Sequence, residues 1–130
     1  MASRATYQRG QVPSEAEGLV FVVDVQLRRH YWLVLAYDGD AWWVVDWGRD
    51  AICGDMEQPT DEQRAEGLER LDAIARSGYP TATGGRMSVS LAGIDTGYLP
   101  DLIRPWVAKR RNRWISVRGI GSEMSSRMKS

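Results

Sequence analysis

Apolar residues fill Gly18 to Gln26 on both faces (Gly-Leu-Val-Phe-Val-Val-Asp-Val-Gln), the pattern of a strand central in a covered sheet. Leu27 to His30 is a polar-leaning turn, and Tyr31 to Tyr37 is a second apolar run of strand length. Asp38-Gly39-Asp40 marks a tight hairpin, because glycine tolerates the positive φ that such turns demand. Ala41 to Trp47 gives a third strand, closed by Gly48. Three strands with short connections make an antiparallel meander.

After a loop from Arg49 to Pro59 the hydrophobic period changes. Thr60-Asp61-Glu62-Gln63 has the Thr-x-x-Gln form of a capping box, in which Thr60 satisfies a free backbone amide at a helix start. Ala65, Leu68, Leu71 and Ala75, with Ile74 beside them, recur at helical spacing and leave Glu62, Arg64, Glu66 and Arg70 for water. Gly78, Pro80, Gly84 and Gly85 end that helix and form a loop. Arg86 to Ile94 is a fourth strand; following a helix, it pairs parallel to an earlier strand through a crossover. Leu99, Leu102, Ile103, Trp106 and Val107 give a second helical face, in which Pro100 suits the first turn and Pro105 predicts a kink or a delayed start. Trp114 to Val117 is a short fifth strand, stopped by Gly119 and Gly121. Residues 1–17 read as a polar tail or linker, 18–120 as the domain and 121–130 as a C-terminal tail.

The order βββαβαβ with right-handed crossovers predicts an α/β domain with a mixed five-stranded sheet of order 3-2-1-4-5 and helices packed on it, the ribonuclease H-like arrangement. Strand four then lies beside strand one. Asp24 sits inside strand one, and Asp95 follows directly on strand four before Gly97. An ionised carboxylate in a buried strand is costly unless a partner or a cation compensates it. Open α/β sheets also tend to place their chemistry at C-terminal strand ends. Asp24 and Asp95 are therefore predicted to be neighbours that share a cation.

Composition narrows the classes of function without choosing one. The apolar share of 43% and charged share of 26% match a soluble globular domain, and the apolar runs are too short to span a bilayer, so no membrane partner is expected. The N-terminus carries no signal peptide, and the lone Cys53 excludes a disulfide framework or a cysteine-rich zinc site and suits a reducing cytosol. Formal charge balances to zero, so a nucleic acid would have to be met by a local patch.

A set of short segments adds to this reading: Tyr7-Gln-Arg-Gly10-Gln-Val-Pro13, Val23-Asp24-Val25-Gln26, Tyr31-Trp32, Val45-Asp46-Trp47-Gly48, Gly93-Ile94-Asp95-Thr96-Gly97-Tyr98 and Arg118-Gly119. In this order and spacing they resemble the nuclease domain of bacteriophage large terminase subunits of the lambda type. The resemblance implies a metal-dependent endonuclease that cuts concatemeric viral DNA for packaging, in the bacterial host cytoplasm. It implies two Mg²⁺ or Mn²⁺ ions, with Asp24 and Asp95 matching the family's first-strand and fourth-strand acids. Its partners would be double-stranded DNA and, on other chains, an ATPase motor domain, the small terminase subunit and the portal. Two departures stand beside it. No Gly-x-x-x-x-Gly-Lys-Ser/Thr phosphate loop is present, and Glu123 is the only acid after Asp101 to serve as the further acid that related nucleases place beyond the fifth strand. The chain reads as an isolated or truncated nuclease domain. The alternatives are a non-catalytic prophage remnant, a module that binds DNA or a packaging partner without cutting, and another ribonuclease H-like nuclease such as a junction resolvase.

Each candidate has a structural counterpart reading. Asp24 could anchor a buried ion pair, and Asp95 could cap a helix or make a turn with Gly97. Asp46 ends an apolar strand ahead of Gly48 and is read as a turn residue, or as an outer support of the metal site. His30 and Cys53 lack metal-spaced partners and are read as solvated. Lys109, Arg110, Arg111 and Arg113 form the one local basic run, either a solvated helix end or a set of phosphate contacts on DNA. The tryptophans at 32, 42, 43, 47, 106 and 114 default to core packing, with Trp43 or Trp47 exposed at the meander edge.

Overall fold

A computed structural model describes residues 8–117. The elements are β1 (Gly18–Val25), β2 (Arg29–Asp38), β3 (Ala41–Ala51), α1 (Asp61–Ser77), β4 (Tyr79–Pro80), β5 (Arg86–Met87), β6 (Val89–Asp95), α2 (Pro100–Ala108) and β7 (Trp114–Val117). The main sheet has the order β3-β2-β1-β6-β7, which is the expected 3-2-1-4-5, and β4 and β5 form a separate small hairpin. β1 pairs antiparallel with β2 and β2 with β3, whereas β1–β6 and β6–β7 are parallel.

The capping box is realised on both sides. Thr60 Oγ1 accepts from the Gln63 backbone amide at 3.1 Å, and Gln63 Oε1 accepts from the Thr60 amide at 2.9 Å. Gly78 ends α1 with φ of 67°, where a Cβ would come within 2.6 Å of the Met87 carbonyl oxygen, so a side chain fits neither the backbone nor the space.

Both helices pack on one face of the sheet. Leu68, Leu71 and Ala75 of α1 and Ile103 and Val107 of α2 join Phe21, Val23, Val34, Ala36, Trp43, Val45, Ala92, Ile94 and Trp114 in a single buried cluster. Trp114 lies edge-on to Phe21 and Trp106 at its centre. The register puts Val20, Leu35, Val44, Leu91 and Ile115 on the other face, where Val44, Leu91 and Ile115 are exposed together with Trp42 and Trp47. Among the described residues no helix covers that side. β1 is thus central, as its pattern predicts, but covered on one face only.

Several boundaries differ from expectation, each for a local reason. β3 runs on past Gly48 to Ala51, because Arg49, Asp50 and Ala51 pair with Tyr31, His30 and Arg29 of a longer β2. His30 is consequently a buried strand residue, 2% exposed, and not a solvated turn residue. The expected fourth strand divides: Arg86 and Met87 pair with β4, and only Val89 onward joins the main sheet. α2 starts at Pro100 and runs through Pro105. The amide that Pro105 lacks would have served the carbonyl of exposed Asp101, which water can satisfy. Residues 8–17 lie against the domain, with Val12 fully buried and the Gly10 amide bonded to the Val45 carbonyl. The 121–130 tail lies outside the described residues.

A one-residue irregularity decides which way Asp46 points. Leu35 pairs with Val44 and Val34 with Asp46, so Val45 is an extra residue in β3. Side-chain direction alternates with period two, so the bulge flips everything beyond it. Asp46 turns to the helix side with Val34, and Trp47 turns to the open side. Trp42 and Trp47 are exposed by 51% and 40%, whereas Trp43 is buried.

Candidate active site

β1 and β6 are parallel neighbours in a register that ends with Val23 opposite Ile94. One step further along stand Asp24 and Asp95, on the same open face at the C-terminal ends of both strands. Asp24 is 3% exposed, and the Gln26 side-chain amide donates to its Oδ2 at 2.8 Å. Burial of a carboxylate demands such donors or a cation. Asp95 is half-buried, and its Oδ1 accepts from the Gly97 amide at 2.7 Å, which fixes the carboxyl in a local turn. Among the described residues no group of three or more His, Cys, Asp or Glu side chains is placed to hold a metal. Glu123 lies outside the described residues.

The same cross-strand row continues along the sheet. Asp24 stands opposite Tyr31, and Tyr31 opposite Arg49. The open face at this level therefore reads Asp95, Asp24, Tyr31, Arg49 from β6 to β3. Sequence reasoning included Gln26 in the Val23–Gln26 segment without giving it a role, and it left Arg49 in a loop. Gln26 follows Asp24 at i+2, the spacing that returns a side chain to the same side of an extended chain. Arg49 was hidden by ending β3 at Trp47.

Asp46 is not part of this row. It lies beyond β2 and on the helix side, where its carboxylate accepts from Tyr79 Oη at 2.8 Å and from Arg9 Nε at 2.9 Å. Burial and the adjacent Asp46 carboxylate push the Tyr79 phenol well above its usual range. A cavity of about 420 Å³, lined by Trp32, Ile74, Tyr79 and Arg86 among others, opens beside it.

The basic run sits at the opposite end of the sheet from the two acids. Trp114 pairs with Ala92 and Val117 with Asp95, so residues 109–113 precede the far end of β7. Arg110 is committed to Glu69 at 2.6 Å and lies over the Trp106 ring. Arg113 donates to both oxygens of Asp72, at 3.0 and 3.3 Å, and the Trp114 indole donates to the same carboxylate at 2.8 Å. Asp72 itself is 4% exposed. Burial opposes its charge, but the Trp114, Arg113 and Arg76 donors outweigh that cost and hold its carboxyl below the usual 3.8. Lys109 and Arg111 are exposed.

His30 and Asp50 form a second buried polar group under α1. His30 Nδ1 lies 3.5 Å from Asp50 Oδ2, and Arg70 grips Asp50 with two donors at 2.7 and 3.0 Å. Burial again opposes the Asp50 charge, and His30 and Arg70 together hold its carboxyl low. A Cβ on Gly67 would sit 3.1 Å from the His30 ring, so a side chain there would press on the imidazole where the helix crosses it.

Comparison with known proteins bears on this geometry. A search of curated proteins finds no match. Among solved structures, the large terminase of a thermophilic bacteriophage is similar in two crystal forms. One has a TM-score of 0.50 and 11% identity over 91% of this chain and 29% of that one; the other has 0.49 and 12% over 91% and 30%. An exopolyphosphatase from Cytophaga hutchinsonii is similar with a TM-score of 0.48 and 11% identity over 78% of this chain and 35% of that one. At such identities the likeness is one of fold, and the chain spans less than a third of the terminase chains it matches. The family described as terminase large subunit gpA, endonuclease domain, matches over residues 1–130. With its sheet order and its match along the whole sequence, this chain belongs to the gpA endonuclease-domain family of terminase large subunits.

Proposed function

We propose that the domain is a metal-dependent DNA endonuclease that cuts concatemeric viral DNA during packaging. The observation that carries this reading is the parallel β1–β6 register, which puts Asp24 and Asp95 side by side on the open face of a gpA-family domain. The donor set suits hard divalent cations: both groups are carboxylates, with no thiolate or imidazole beside them in the row, the chemistry that Mg²⁺ or Mn²⁺ prefers. Asp24 and Asp95 would hold the ions. A bound pair of such ions lowers the pKa of water and stabilises the leaving oxygen in phosphodiester hydrolysis. Gln26 keeps one Asp24 oxygen turned toward itself, and Gly97 does the same for Asp95, so both carboxyls are oriented before a ligand arrives. Packaging partners on other chains, an ATPase motor, a small subunit and a portal, and action in the host cytoplasm follow from the same reading.

The test is supercoiled plasmid incubated with the purified chain and Mn²⁺, with and without EDTA, beside Asp24→Asn. Nicking that needs metal and disappears in the variant supports the proposal. A parent that neither cuts nor gains thermal stability with Mn²⁺ would leave a non-catalytic binding module or remnant as the better account.

A further inference from the structure

We infer that DNA lies across the strand ends beside Asp24, over a basic track made by Arg49 and Arg28, and not along the basic run at 109–113. This rests on the endonuclease reading for the identity of the polyanion, but its geometry is independent of cleavage.

Three observations converge. First, Arg49 shares the cross-strand row with Tyr31, Asp24 and Asp95. Two strand spacings separate it from Asp24, roughly 10 Å. That spacing lets the long Arg49 side chain reach a phosphate near the reacting one. Second, two adjoining depressions of about 320 and 230 Å³ share Arg29 and Asp55; Arg49 lines the first, and Gln26, Arg28 and Tyr31 line the second. The floor therefore leads from the residue that orients Asp24 to the edge of the sheet. Third, the charges there are unequally spent. Arg29 is paired with Asp55. Arg28 donates to the backbone carbonyl of Glu57, which leaves its charge uncompensated at that contact. Arg49 is exposed and makes no ion pair with any described residue. Glu57, the other acid nearby, turns its carboxylate onto the Gly54 amide.

At the far end of the sheet Lys109 and Arg111 are exposed, but they stand a strand length away from the acids, and the other two cations are committed. Arg110 and Arg113 are already held by Glu69 and Asp72, and both face the helix side. Binding phosphate with them would strand carboxylates, one of them buried. Guanidinium groups beside the acid pair that are not committed to a carboxylate, each able to grip a phosphate with two donors, are the better match to a phosphate backbone. Such contacts position a duplex without reading its sequence.

The experiment measures anisotropy of a fluorescein-labelled duplex of about 30 base pairs against salt concentration, once in EDTA and once in Ca²⁺. Arg49→Ala and Arg28→Ala are compared with the control Lys109→Ala/Arg111→Ala. Melting curves confirm that each variant is folded; if Arg28→Ala loosens its loop, Arg49→Ala decides alone. The expected result is a salt slope shallower by about one for each track arginine removed, equally for two unrelated duplex sequences, with the control at the parental slope. On plasmid with Mn²⁺ the track variants should raise KM several-fold and leave kcat near the parent. Parental slopes in the track variants, a reduced slope in the control alone, or no duplex binding in either condition would each overturn the inference. Failure of the endonuclease reading shows separately, as a parent that binds with the expected arginine dependence but never cuts.

Discussion

The two faces of the sheet divide the work between them. On the helix side, side chains are large, interlocked and almost wholly buried, and even the acids there, Asp72 and Asp50, are tied to arginines on other elements. On the open side the same strands show Trp42, Val44, Leu91 and Ile115 to solvent, and there the two acids stand in a row with Tyr31 and Arg49. Strands that owe their position to one face leave the other free to carry residues that stability alone would not select. Asp24 is the limiting case: a buried acid on the side that contributes least to the core.

The comparison breaks first if Trp114→Ala is mild. That indole is fully buried, touches Phe21 and Trp106, and satisfies Asp72. Its loss should cost about 3–5 kcal/mol in urea unfolding, a large fraction of the stability of such a domain.

Asp72→Asn should cost about 3 kcal/mol, because it strands the Arg113 charge against the core. The same group sharpens the pH behaviour. The folded-state carboxyl is held below 3.8, so its contribution is complete above that pH and is lost as pH falls through the lower folded value. Asp50 acts in the same direction. Urea midpoints measured from about pH 7 down to about pH 2.5 should fall steeply below about pH 4 in the parent, and more gently in Asp72→Asn.

On the open side the expected effects are smaller and of another kind. Asp24→Asn should leave the metal-free protein within about 1 kcal/mol of the parent, while abolishing any rise in melting temperature with Mn²⁺. An asparagine oxygen can still accept from the Gln26 amide, and the change removes repulsion between neighbouring carboxylates. A loss of about 3–5 kcal/mol instead would make Asp24 a structural anchor and erase the distinction between the faces. Ile115→Thr, at a position 40% exposed, should change stability by about 0.5 kcal/mol at most in the same unfolding assay.

How much of this could be read from the chain follows the same line. Sheet order, parallel crossover and helix positions were legible because they rest on period and on local signals: the Thr60–Gln63 box, the Asp38-Gly39-Asp40 turn, the Leu68–Leu71–Ala75 stripe. The alignment of Asp24 with Asp95 followed from that order. What escaped depended on register, which no single segment carries. The bulge at Val45 reverses Asp46 and Trp47, and nothing in Val44-Val45-Asp46 announces it. The polar stretch Arg49-Asp50 looks like loop until His30 and Arg70, from two other elements, supply its partners. The basic run shows its charges in the sequence, but not the Glu69 and Asp72 carboxylates that pair with Arg110 and Arg113.

The β1–β6 ladder also sets when the acid pair comes into being. The meander of β1, β2 and β3 needs only neighbouring segments and can form early from local contacts, but it supplies Asp24 alone. Asp95 arrives with β6, after α1 and the small hairpin, and closing that long loop is the slow, non-local step of such a topology. A chain in which only the meander has folded, or a fragment cleaved between the meander and β6, does not hold both carboxylates side by side. Assembly of the acid pair is thereby tied to closure of the β1–β6 ladder and not to the meander that forms ahead of it.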